Sequence, residues 1–391
     1  MTTAPPASRP ISGDPRRVFG LDALRAGAIL SVISAHAFVA LYPHLPAWFG
    51  LLGHGGFYGV ELFFVLSGFL IGRILIDYGS QLSLASTVRT FYLRRWFRTL
   101  PLFALFLLVN IVLEFVFRQH RVSGIEVATH GFFLRNFASN SMSFFGESWS
   151  LAIEEWFYLL FPAALWLGLK FSRQFDRTFL IVAAAFFLFS TVGRMFSAPE
   201  PAATWAEWQR KIVLYRFDAL MTGVFAAWYS VRFPYPWRKH KTFCAILGAA
   251  LLLAMYATLW KYENGEIAFG DDSYFARTFR FNLVSAGFAL LLPAAANWKL
   301  RAETFTSTAV RKIALWSYSL YLLHLPVFDF VTRFSSSGSR DSLPHSLGLF
   351  AFELGAAIAA SALLYHFFEA PCTRLREKAA PAVPCRSFAS P

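Results

Sequence analysis

From Val18 onward the sequence returns repeatedly to apolar runs of about twenty residues, the length a helix needs to cross a bilayer. Hydrocarbon offers no water to backbone N–H and C=O groups, so such runs have to be helices. Ten spans are expected, at roughly 18–42, 57–78, 98–117, 148–170, 178–196, 212–231, 242–260, 279–297, 311–333 and 346–368. The expected fold is therefore an all-α membrane protein, a bundle of about ten transmembrane helices over residues 17–371. A disordered tail is expected at 1–16 and a second tail at 372–391. The ninth span is expected to break near Pro326.

Composition agrees. Hydrophobic residues make up 56% of the chain and charged residues 15%, too few to cover a soluble domain. The run after Arg16 and Arg17 is too long for the core of a cleavable signal and lacks a small-residue cleavage site, so it reads as a retained first span. Cys244, Cys372 and Cys385 have no metal-ligand spacing, and neither a metal site nor a structural disulfide is expected.

The net charge of +13 would suit nucleic acid in a soluble protein. Here the basic residues gather at span ends, where orientation and anionic lipid account for them. One set of loops holds Arg89, Arg94, Arg95 and Arg98, then Lys170 and Arg173, then Arg238 and Lys239, then Lys299, Arg311 and Lys312. The alternate loops are poorer in Lys and Arg. Both termini are thus expected in the cytoplasm, as an even number of spans requires.

Ionisable residues inside spans are the exceptions that point to function, because each costs roughly 2.5 kcal/mol or more to insert. The first span carries Asp22, Arg25 and His36. At about 100° per residue Arg25 and His36 lie some 20° apart, with Asp22 within about 60° of both. Arg25 sits about 16 Å from His36 along the axis, nearer the cytoplasmic boundary. A neutral imidazole at His36 could serve as a general base toward a hydroxyl nucleophile. A nearby carboxylate could then steady the imidazolium.

Glu154 and Glu155 are the carboxylate candidates, in a run that includes Trp149 and Tyr158. Adjacent helical residues point about 100° apart, so the two carboxylates should serve different neighbours, with Tyr158 one turn beyond Glu154. Arg95 and Arg98 share a helix face, and Arg73 follows a small-residue run. Guanidinium groups suit phosphates, and coenzyme A carries a 3′-phosphate and a pyrophosphate. Arg216 and Asp218 open the sixth span as a candidate internal ion pair. Tyr321 and His324 share a face of the ninth. Glu369 is expected to anchor the last span at the interface. Glu61, with the segment from Phe63 to Gly68, reads as close helix packing.

Taken in order, these segments resemble the acyltransferase-3 family of bacterial membrane O-acyltransferases. The resemblance runs from about Phe19 to Pro371 and is carried by Gly20–Arg25 with His36, Gly59–Ile71, Arg95–Pro101, Trp149–Tyr158, Tyr318–His324 and Glu369–Pro371. It implies an inner-membrane enzyme that moves an acyl group, most commonly acetyl, from acyl-CoA to a hydroxyl of a carbohydrate or glycolipid. Such an enzyme is a transferase of the EC 2.3.1 class with acyl-CoA as co-substrate and no permanently bound cofactor. The family's functional His falls on His36, its paired Arg motif on Arg95 and Arg98, its first-span Arg on Arg25 and its fourth-span Glu on Glu154. Some members carry a periplasmic hydrolase-like domain. This sequence ends soon after the tenth span, so transfer within the membrane core is the expectation, and direct transfer and a transient acyl-enzyme both fit. The rival class is a transporter or flippase for a glycan or lipid-linked sugar, since charges at mid-membrane also mark transport paths.

Overall fold

The computed structural model describes residues 18–41, 44–45, 53, 55–118, 122–139, 144–172, 174–197, 209–263, 274–300, 302–334 and 342–380. The tail expected at 1–16, most of the loop before the second span, Cys385 and the end of the C-terminal tail lie outside the described residues. The described residues form α1 (Phe19–Ala37), α2 (Gly55–Tyr78), α3 (Ala85–Leu113), α4 (Gly124–Gly131), α5 (Ser148–Phe171), α6 (Phe175–Phe196) and α7 (Phe217–Arg232). These are followed by α8 (Pro234–Lys239), α9 (Lys241–Glu263), α10 (Phe281–Ala296), α11 (Phe305–Phe334), α12 (Leu343–Leu364) and α13 (Ala370–Ala379).

The chain is an all-α membrane protein. Among the described residues, eight helices are long and apolar enough to cross a bilayer: α2, α3, α5, α6, α9, α10, α11 and α12. The first and sixth expected spans fall on α1 and α7. Asp22, Arg25 and His36 lower the apolarity of α1. α7 has 16 residues, because its first turn is replaced by the 3₁₀ turn Val213–Tyr215. The short helix α4 starts on a capping box, in which Ser123 and Glu126 each satisfy the other's backbone N–H.

Three boundaries differ from expectation. α3 starts at Ala85, ahead of the expected edge at 98, because no Gly or Pro interrupts residues 85–100. Arg89, Arg94, Arg95 and Arg98 are therefore fixed on a helix rather than loose in a loop. α11 passes through Pro326 without a break; packing by neighbouring helices allows a proline inside a span. After α12 the chain continues through a π-helical turn, Tyr365–Glu369, directly into α13, so the described start of the C-terminal tail is helical.

α2 is the most enclosed span, packed on α1, α7 and α10. Glycines make its crossing with α7 close. A Cβ added to Gly68 would collide with the Leu220 carbonyl oxygen, and one added to Gly223 with the Val65 carbonyl oxygen. The packing role expected for the Gly68 segment is what the structure has. Backbone cannot yield as a flexible side chain would. Gly68→Leu is therefore expected to destabilise the protein by about 1–3 kcal/mol, read as a lower midpoint of thermal unfolding in detergent. An unchanged midpoint would contradict the close crossing.

Candidate active site

Gly59 of α2 packs on Ala28 and Val32 of α1, and Gly56 packs on Ala35, so the two helices run antiparallel and Arg25, near the start of α1, lies toward the end of α2 that carries Ser67 and Arg73. His36 at the end of α1 lies level with Phe57 in the first turn of α2. The bundle core thus has an Arg25 end and a His36 end. The expected site residues divide between them.

At the Arg25 end a cavity of ≈ 360 Å³ opens between α1, α2, α3, α5 and α11. Five arginines line it, Arg25, Arg73, Arg94, Arg95 and Arg98, against two carboxylates, Asp77 and Glu154. Its apolar wall includes Phe63, Phe64, Leu70 and Ile74. Arg73 donates to Ser230 Oγ at 3.0 Å, and Arg94 to the Ala380 carbonyl at 2.6 Å. The Arg95 guanidinium stacks 5.6 Å from the Tyr158 ring centroid and 5.9 Å from that of Phe91. Among the described residues, neither Arg95 nor Arg98 has a hydrogen-bonded or ion-paired partner for its guanidinium.

Glu154 faces this cavity. The Tyr158 hydroxyl donates to Glu154 Oε2 at 2.8 Å and lies 2.5 Å from Ser67 Oγ. Glu155 points instead to Thr99 of α3, as the 100° offset requires. Ser150 and Tyr321 also line the cavity; both are buried, and their hydroxyls are 2.6 Å apart. Glu369 is not at the interface. It is buried, accepts a hydrogen bond from Ser319, and lies in electrostatic reach of Arg98 and Arg25. The π-helical turn at its position re-aims the end of the last span inward.

His36, Asp22, Glu155, Trp149, Arg216, Asp218 and His324 do not line the cavity. Asp22 and Trp149 are buried in the bundle. His36 and His324 form a pair, His324 Nε2 to His36 Nδ1 at 3.2 Å. His324 Nδ1 lies 2.7 Å from the Tyr321 carbonyl, and His36 Nδ1 lies 3.0 Å from the Val32 carbonyl. A carbonyl only accepts, so each Nδ1 carries the proton and His324 Nε2 accepts from His36. His36 Nε2 is then left with its lone pair, on a side chain that is exposed. Tyr321 joins the two ends: its side chain lines the cavity and its carbonyl fixes His324.

A second polar cluster lies between the two ends. Arg216 is wholly buried and donates to both Glu61 oxygens, at 2.5 and 2.7 Å. Asp218 accepts from Arg194 at 2.9 Å and from Asn282 at 3.2 Å. The Arg216–Asp218 pair expected from the sequence is thus the weaker contact, at 3.8 Å. Glu61 is an ion-pair partner rather than a packing residue. Local spacing could not show this, because Glu61 and Arg216 are far apart in the chain.

Sequence reasoning also passed over Arg210. It precedes the sixth span, outside the runs in which a charge draws attention. Its guanidinium lies 5.1 Å from the ring centroids of both Phe57 and Trp149.

The acyltransferase domain model matches residues 18–366, nearly the whole described bundle. The chain belongs to the acyltransferase-3 family. The family's O-acetyltransferases include similar proteins. YrhL of Bacillus subtilis, named as a candidate peptidoglycan O-acetyltransferase, is 34% identical over 183 residues, 43% of this chain and 27% of its own length. Peptidoglycan O-acetyltransferase OatA of Listeria monocytogenes is 30% identical over 39% of this chain and 25% of its own. O-acetyltransferase OatA of Staphylococcus aureus is 26% identical over 401 residues, 93% of this chain and 58% of its own. The matched part is thus less than two thirds of each relative's length. No solved structure matches the chain.

Proposed function

We propose that this chain is a membrane O-acyltransferase that moves an acetyl group from acetyl-CoA to a hydroxyl of a glycan. The observation that carries the reading is the cavity at the Arg25 end. It combines an apolar wall with Arg95 and Arg98, two guanidinium groups that have no hydrogen-bonded or ion-paired partner among the described residues. That combination suits a ligand with a phosphate-rich head and a long, largely uncharged arm. Arg95 and Arg98 take the coenzyme A phosphates, with Arg73 at the rim. The side of the membrane that holds this end is the cytoplasm, in keeping with the basic loops.

The pantetheine arm runs along the apolar wall toward Tyr321 and Ser150, and the thioester passes them to meet the acceptor beside His36. His36 Nε2 takes the proton of the acceptor hydroxyl as its oxygen attacks the thioester carbon. The carbon–sulfur bond breaks, and the coenzyme A thiolate leaves with the proton from the imidazolium. Glu154, hydrogen-bonded to Tyr158, balances the positive charge of the cavity wall. The acceptor class follows the names of the relatives, which point to peptidoglycan.

Arg98→Gln tests the donor side. Losing one charge-assisted hydrogen bond weakens binding by about 1.5–3 kcal/mol, so KM for acetyl-CoA is expected to rise about ten- to hundredfold. Steady-state transfer by the purified protein in nanodiscs reads this directly. A protein that binds no coenzyme A in equilibrium dialysis would instead be a carrier, and the reading would fall.

A further inference from the structure

We propose that Arg210 forms an anion subsite at the His36 end, which recognises a carboxylate or phosphate on the glycan acceptor. This deepens the function proposed above and rests on it for the identity of the ligand. The Arg210 guanidinium lies against the Phe57 and Trp149 rings, 5.1 Å from each centroid. Its Nε is fully buried without a hydrogen-bond partner, and its terminal nitrogens have none among the described residues. The carboxylate whose charge acts on it, Glu61, is held bidentately by Arg216. Asp218 is committed to Arg194 and Asn282. A guanidinium that is partly buried, with its Nε shielded from water and no carboxylate bonded to it, is unfavourable unless a ligand completes it.

Position names the ligand. The charge of Arg210 acts on His36 and on Tyr321. Phe57 and Trp149 occupy the first turns of α2 and α5, at the His36 end. The donor arginines lie at the other end, so the coenzyme A phosphates do not need Arg210. The acceptor must present its hydroxyl to His36 Nε2, and an anionic group on the same sugar or its neighbour then falls to Arg210. Contact with two rings holds the guanidinium in place, which favours a two-point hydrogen bond.

The test uses the full-length protein in nanodiscs and three sugars: N-acetylmuramic acid with its carboxylate, N-acetylglucosamine 1-phosphate, and neutral N-acetylglucosamine. Thermal-shift titration reads binding without chemistry. Wild type should be stabilised by at least one anionic sugar at a tenfold lower concentration than by the neutral one. The carboxylate and phosphate arms say which anion is preferred. The preference should persist in Arg98→Gln, vanish in Arg210→Gln and survive in part in Arg210→Lys, which keeps the charge if the Gln variant fails to fold. Equal response to all three sugars in wild type, or loss of the preference in Arg98→Gln rather than Arg210→Gln, overturns the subsite. Acetyl transfer is measured separately. Binding preference without transfer would sink the enzymatic reading and leave the subsite standing; transfer without preference would do the reverse.

Discussion

His36→Ala is expected to lower acetyl transfer by about 10²–10⁴-fold, the range over which a positioned general base acts. The loss should fall on kcat, with little change in KM for acetyl-CoA. The reason is geometric: the proposed donor arginines are at the opposite end of the bundle, and His36 does not line the cavity they form. The variant should therefore still bind coenzyme A in dialysis. His324→Ala should give a smaller loss of the same kind. It removes the acceptor for His36 Nδ1–H, and the imidazole keeps only the Val32 carbonyl to hold its tautomer. Full activity in His36→Ala would exclude it as the base.

Breaking the central ion pair should have the largest effect on stability. Glu61→Gln takes from the wholly buried Arg216 the carboxylate it binds at both oxygens and leaves only the longer contact to Asp218 at 3.8 Å, and breaking a buried pair costs about 3–5 kcal/mol. The expected result is a much reduced yield of folded protein or a large fall in the thermal midpoint. Arg216 also stacks on the Phe281 ring, with its guanidinium carbon 4.2 Å from the centroid, and cannot turn to water for relief. The double variant Glu61→Gln with Arg216→Met should recover part of the loss, since removing both charges spares the unpaired one. If the single variant is as stable as the parent, the pair does not hold α2 to α7.

Apolarity and helical periodicity made the long helices, and the ionisable groups on them, legible in the chain. Hydrophobic runs can only become helices in lipid, so the all-α class and the positions of the long helices were readable from apolarity. Intramembrane charges are rare, so His36, Arg25, Glu154, Arg95 and Arg98 stood out without a fold. Periodicity placed residues on a common helix face and gave Glu154 and Glu155 separate neighbours. Which faces meet was decided only in three dimensions. The Arg25 cavity draws on five helices, and the separation of His36 from its wall depends on how α1 and α11 pack. His324 became the partner of His36, and Glu61 that of Arg216, across 288 and 155 positions of sequence. Spacing rules reach only one or two turns. Arg210 needed the tertiary structure most: in sequence it is one more arginine beside a span, and only packing shows two rings holding its charge with no carboxylate to meet it.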